Sequence, residues 1–201
     1  MVQPVVVHAW PQDVRQVLNA LRSPQAWSVL CIDTPHTSIR HVARQRIRSA
    51  VREALGGLWS QPPESITLSE QAGCAIEVDG APMQMTLSLS HAPGLSVAAI
   101  RLRGRIGVDI MPLDAGPDGM PDWERVTQNY LGPQVCRELA MVAPDQRAAV
   151  FAQRWADWEA GLKCLGLALT EWTPALQNRL NDCRVRPLAL PQGYCGSIGI
   201  A

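Results

Sequence analysis

The spacing of apolar residues along the chain changes period twice. Over residues 12–22, QDVRQVLNALR, it is helical, and Ser23-Pro24 breaks it, so a short amphipathic helix is predicted there. WSVLCI at 27–32 is an apolar run of strand length. A second helix is predicted from Thr37 or Ser38, either of which can cap it, to the Gly56-Gly57 pair. From Ser65 to Ile100 the pattern becomes short strand-like bursts, ITLSE, GCAIEVDG, MQMTLSLS and LSVAAI, separated by Gly, Pro and Asp turn signals, and IGVDIMPL at 106–113 continues it. After the connector AGPDGMPDW, helical spacing returns at 122–130, 133–142 and 144–165, the last with Pro144 in its first turn and Gly166 as its stop. CRVRPLAL and YCGSIGIA close the chain as strands.

Each half runs from helices to strands and ends on an apolar strand behind a Pro/Gly turn, HAPGLSVAAI in one and LPQGYCGSIGI in the other. This implies an α+β (α/β) chain built by duplication of about 100 residues, with a cleft between two similar halves. A chain of 201 residues that is 47% hydrophobic can bury the cores this requires. Its formal net charge of zero removes the long-range basic field of a nucleic-acid binder, so no nucleic-acid partner is expected. MVQPVVVHAWPQD lacks a basic n-region and a long apolar h-region, and no window approaches eighteen uninterrupted apolar residues. A soluble, cytoplasmic protein without a membrane partner is expected. The six cysteines show no C-x-x-C pair and no metal-ligand rhythm with the histidines, which reads as buried free thiols.

One composition detail points to chemistry. Lys163, in WADWEAGLKCLG, is the only lysine; every other basic residue is arginine. It follows Glu159 by four residues, one helical turn away on the same face. On a helical wheel Phe151, Trp155, Trp158, Leu162 and Leu165 form the apolar stripe, and Glu159 lies at its border. Lys163 is flanked by Ala152 and Ala156, small enough to leave room for a ligand. Gly161 within this helix has no reason legible in the sequence. Asp109 sits inside the apolar strand RIGVDIMPL, a costly place for a carboxylate unless it is paired or binds a cation. Ser90-His91 ends a strand ahead of a Pro-Gly turn. Arg40, Arg44, Arg48 and Arg52, each four apart, form a helical band that is either a solvated face or a surface for phosphates.

The order of these elements, SLSH, then G-V-D, then W-x-x-x-E-x-x-x-K, resembles the 4'-phosphopantetheinyl transferases, specifically the Sfp-type two-domain branch. The resemblance runs from the Arg44 region to Lys163. It implies two similar subdomains in pseudo-twofold arrangement, each with helices on a small antiparallel sheet. Residues 1–104 would form the N-terminal half and 105–201 the half with the metal site, the active site lying at their junction. It further implies Mg²⁺-dependent transfer of the 4'-phosphopantetheine arm of coenzyme A to a serine of an acyl, peptidyl or aryl carrier protein, by a monomer. Asp109 and Glu159 would be the metal ligands, and Glu159 would also take the serine proton. Lys163 would neutralise the pyrophosphate as the leaving group departs. Arg44, Arg48, Ser90 and His91 would contact the phosphates of coenzyme A; Arg40 and Arg52 have no counterpart.

Three positions depart from the family pattern. The second acid of G-h-D-h-E (h being apolar) is Met111, leaving water or Asp114 to complete the metal shell. The lysine before the helix glutamate is Trp158, and the lysine of a G-K-P turn is Ala81 in GAP. These losses support the alternative of a weakened protein of the same fold that binds carrier protein or coenzyme A without efficient transfer.

Overall fold

β6 (Thr86–Ala92) and β7 (Leu95–Arg101) form a hairpin that turns at Gly94, where a φ of 84° favours glycine. In the computed structural model, which describes residues 3–34, 40–69, 76–81, 85–113 and 122–201 (of Arg40 the backbone alone), this hairpin anchors one of two four-stranded sheets. β7 also pairs antiparallel with β3 (Trp27–Asp33), and the short β2 (His8–Ala9) adds to β3 in parallel. In the second sheet β10 (Tyr194–Ile200) lies between β8 (Ile106–Pro112) and β9 (Arg184–Ala189), antiparallel to both, with β1 (Val5–Val6) outside β9. β4 (Thr67–Leu68) and β5 (Val78–Asp79) form a separate two-stranded ladder.

The helices are α1 (Val14–Arg22), α2 (Arg40–Trp59), α3 (Trp123–Tyr130), α4 (Gly132–Met141), α5 (Pro144–Cys164) and α6 (Pro174–Leu180). The fold is therefore α+β, and one topology occurs twice. β3, α2 and the β6–β7 hairpin repeat as β8, α5 and the β9–β10 hairpin, with the hairpin's second strand returning beside the first strand. The unit is strand, helix, hairpin, where the sequence suggested helices followed by strands. The similar ends noted above are the counterparts β7 and β10, each behind a positive-φ glycine, Gly94 or Gly193. The N-terminal strands break the repeat, because β1 extends one sheet and β2 the other.

Alternation along the strands sorts the core into layers. On β7, Ala98 and Ile100 face α1 and α2, while Leu95, Val97 and Ala99 face Ile106, Val108 and Ile110 of β8. Buried on both faces, β7 is apolar almost throughout. A third cluster joins α3–α6 through Leu139, Phe151, Trp158, Leu162 and Leu180.

Several sequence expectations change. α2 runs through Gly56-Gly57 to Trp59, and Ser60, at φ 56°, ends it; a Cβ on Gly56 would lie 2.7 Å from the Gln61 carbonyl. α6 carries no strong periodic signal in its seven residues and is fixed by Thr173, whose hydroxyl caps Leu176 N. Ala152 and Ala156 leave no room for a ligand, being fully buried in α5. With Ala160 and Cys164 they form a small-residue stripe, opposite Gly107 and Gly199, which are register partners on β8 and β10. A Cβ on Gly107 would sit 2.2 Å from the Ala160 carbonyl oxygen, so these glycines let α5 lie flush on the sheet. Gly161 gives way to Leu180, whose Cδ2 would be 2.8 Å from a Cβ there. Thr37, Ser38, Cys74, Asp114 and most of the 115–123 connector lie outside the described residues. The five described cysteines are free, and burial pushes Cys31 and Cys195 to about 11 and Cys164 to about 12. No helix among the described residues is long and apolar enough to cross a membrane.

Candidate functional site

The site begins with α5 seated on β8. In β8, the residues between those facing the other sheet, Gly107 and Asp109, turn to the α5 side; Gly107 admits the helix and Asp109 meets its polar edge. Lys163 Nζ lies 2.6 Å from Asp109 Oδ1, donates to Val108 O at 3.2 Å and stands 3.5 Å from Glu159 Oε2. One ammonium thus lies between two carboxylates from different elements.

Each carboxylate is also held by a neutral donor. Ser90 on β6 donates to Asp109 Oδ1 at 2.8 Å, and the Trp155 indole N–H donates to Glu159 Oε1 at 2.8 Å. The Trp155 ring packs with Tyr130 and Phe151, at centroid separations of 5.6 and 5.7 Å. Asp109 is only 5% exposed. Burial raises its carboxyl above the usual carboxylate range; the Lys163 ammonium draws it down and the Glu159 charge adds to the rise.

Above this group lies a cleft of about 640 Å³. Glu159 and Lys163 line it from α5, His41 and Arg44 from α2, Thr86–Leu89 and His91 from β6, and Gly166–Leu169 from the turn after α5. Leu169, half exposed, gives this rim an apolar lip. His91 holds Ser96 Oγ through Nδ1 at 2.8 Å.

The structure brings most sequence candidates together. Asp109, Glu159, Lys163 and Ser90 form one connected group, and Arg44 and His91 share the cleft with Glu159 and Lys163. Arg48 is placed elsewhere: it is buried, and its Nη2 donates to Leu68 O and Ser69 O at 2.7 and 2.8 Å. Ser90 is also buried, beneath the cleft lining. Trp158 is in the helical cluster, whereas Met111 and Ala81 are half-buried. The sequence reading missed Trp155 as a partner of Glu159, though their spacing of four carried the signal. Among the described residues no group of three or more His, Cys, Asp or Glu is placed to hold a metal ion. Asp109 and Glu159, facing one cation, are the available pair, and two carboxylates completed by water and phosphate are a donor set that suits Mg²⁺.

Comparison with curated proteins gave no match. A family model does match, over residues 105–194, somewhat less than half of the chain. It covers β8, α3–α6 and β9, with Asp109, Glu159 and Lys163, and stops short of the β6 and α2 residues of the cleft. The segment that carries the two carboxylates and the lysine is thus similar to the 4'-phosphopantetheinyl transferase superfamily (ACPS), which supports the superfamily indicated by the order of the motifs.

Proposed function

We propose that this protein transfers 4'-phosphopantetheine from coenzyme A to a serine of an acyl, peptidyl or aryl carrier protein, in a Mg²⁺-dependent reaction of the Sfp type. The observation that carries this reading is the Asp109–Lys163–Glu159 group under a cleft with Arg44, His41 and His91 on its walls. Two carboxylates answer a metal ion, and the Arg44 guanidinium and the imidazole N–H groups can answer phosphates. In the reaction the serine oxygen bonds to the phosphorus that bears the pantetheine arm. The bond from that phosphorus to the bridging oxygen breaks, and adenosine 3',5'-bisphosphate leaves with the electron pair.

Asp109 and Glu159 would hold Mg²⁺, which supplies charge neutralisation to the pyrophosphate when bound. Glu159, which lines the cleft while Asp109 is buried, would accept the serine proton, directly or through water. Lys163 on its flexible stem moves from the carboxylate pair to the pyrophosphate and stabilises the departing charge. Arg44 and His91 bind the nucleotide phosphates, and the halves 1–104 and 105–201 meet at the cleft.

The alternative, binding without efficient transfer, rests on the loss of two lysines, at Trp158 and Ala81, and of one acid, at Met111. Of these three, position 158 packs in the helical cluster and is not part of the cleft lining, so the alternative is left with Ala81 and Met111. The test is the intact mass of an apo carrier protein incubated with this protein, coenzyme A and Mg²⁺, with an EDTA control. A metal-dependent gain of one phosphopantetheine is expected. No gain across acyl, peptidyl and aryl carriers refutes transfer.

A further inference from the structure

The adjoining edges of the two sheets, β6 and β8, meet through hydroxyl groups. β6 and β8 form no backbone ladder; Ser88 Oγ accepts the Val108 N–H at 3.0 Å and Ser90 Oγ accepts the Ile110 N–H at 3.2 Å. Residues two apart on β6 point to one face, and they meet N–H groups two apart on the edge of β8. Val108 and Ile110 are buried, so without these acceptors their N–H groups would lack partners. The serines therefore do the same work for the backbone. They differ in one respect: Ser90 also donates to Asp109 Oδ1, and Ser88 touches no carboxylate among the described residues.

We propose that Ser90 is a positioning residue, fixing Asp109 between the two halves of the fold so that the carboxylate faces the cation. Its hydroxyl accepts from the backbone just after Asp109 and donates to the side chain of Asp109 itself, so one oxygen sets both. With Oδ1 held by Ser90 and Lys163, Oδ2 accepts no hydrogen bond from the described residues and remains for a metal ion or water. Ser90 is 6% exposed and outside the cleft lining, so its hydroxyl is already committed before any phosphate arrives. This inference rests on the proposed metal-dependent transfer, and the experiment separates the two.

Ser88→Ala and Ser90→Ala lose equivalent backbone acceptors, so both should lower the melting temperature, Ser90→Ala the more because it also removes a donor to a buried carboxylate. Titration calorimetry with Mg²⁺ alone, and kinetics with coenzyme A and a carrier protein, then isolate the carboxylate contact. Ser90→Ala is expected to lose roughly tenfold or more in Mg²⁺ affinity and in kcat, in line with a hydrogen bond to a charged group. Its KM for coenzyme A should stay within about twofold of wild type, and Ser88→Ala should retain Mg²⁺ affinity within about twofold. Should Ser90→Ala not fold, Ser90→Cys fills the same space with a weak donor and should show the same loss; Ser90→Thr, keeping the hydroxyl, should recover most of it. Equal effects of the two alanine variants on Mg²⁺ would overturn the proposal, as would a raised KM for coenzyme A with Mg²⁺ affinity unchanged. Wild-type protein that binds no Mg²⁺ would overturn it as well. Wild-type protein that binds Mg²⁺ but transfers nothing would refute the proposed function, leaving the calorimetric comparison to decide the role of Ser90.

Discussion

A single methyl group at Gly107 tests whether the seat of α5 sets the site. A Cβ there would stand 2.2 Å from Ala160 O, 2.3 Å from Cys164 N and 2.8 Å from Lys163 C. These are backbone atoms of one helix and cannot rotate away. Ordinary contact begins at 3.4 Å, so α5 must retreat from β8 by about 1.2 Å at this point. The retreat lengthens the 2.6 Å Lys163–Asp109 contact and shifts Glu159 with it. Overpacking of this kind costs about 1–3 kcal/mol, and a displacement of about 1 Å at reacting groups costs about a hundredfold in rate. Gly107→Ala should therefore show a lower melting temperature and about a hundredfold loss in carrier modification measured by intact mass. Gly199→Ala should be milder, since its nearest contact is 2.9 Å. Gly57→Ala, on the exposed side of α2 with Leu18 no nearer than 3.4 Å, should instead stabilise by about 0.4–1 kcal/mol. A Gly107→Ala protein with wild-type melting and a rate within twofold would refute the seating argument.

Three further outcomes are expected. Lys163→Arg should lose transfer activity more than tenfold despite equal charge, because a planar guanidinium does not fit between Asp109 Oδ1, Val108 O and Glu159; wild-type kinetics would show that any cation serves. Trp155→Phe keeps ring packing and removes the indole donor to Glu159, so kcat should fall about tenfold with little change in melting temperature; an unchanged kcat would mean that packing alone orients Glu159. The raised pKa of Asp109 makes the folded state bind its proton more tightly than the unfolded chain. This group's contribution to stability is thus greatest below the unfolded carboxylate pKa of about 3.9 and declines as pH rises toward the folded value. Asp109→Asn, which mimics the neutral acid, should gain stability relative to wild type as denaturation is measured from pH 4 upward; a relative loss would show that the Lys163 ion pair outweighs burial.

The residues that meet at the candidate site were more legible than the geometry that brings them together. Asp109 stood out because a carboxylate in IGVDIMPL violates the apolar pattern, and Glu159 and Lys163 because of their spacing and the absence of other lysines. The long helices and the strands β3, β6–β8, β9 and β10 followed from periodicity, whereas β1, β2 and α6 did not, and the similar Pro/Gly approaches fall before β7 and β10, which hold matching places in the two sheets. Long-range pairings left no such trace. Gly107 and Gly199 read as weak strand formers, and only the packing of α5, through the small Ala160, on β8 and β10 gives them a purpose. Arg48 could not be separated from Arg44 by the wheel, since both belong to the same arginine band. Contacts with the β4 backbone bury one, and the other is left in the cleft. Ser88 and Ser90 likewise look like ordinary alternating strand residues, because the β8 edge they satisfy is distant in sequence.

These supports share a physical logic. Asp109 is raised in pKa by its burial, so the fold carries the cost of an ionised carboxylate that a neutral residue would avoid. What holds it there comes from three directions: the Ser90 hydroxyl from the other sheet, the Lys163 ammonium from α5, and the glycine seat that sets the height of α5. Lys163 in turn donates to Asp109 and to the Val108 carbonyl and stands 3.5 Å from Glu159, which a compact ammonium on a flexible stem can do at once. Under the proposed transfer, a phosphate entering the cleft would let the same ammonium exchange one acceptor for another without leaving the site uncharged. A cation tethered by a four-carbon stem, between carboxylates of which one is fixed and the other lines the cleft, suits that exchange better than the guanidinium used at every other basic position of the chain.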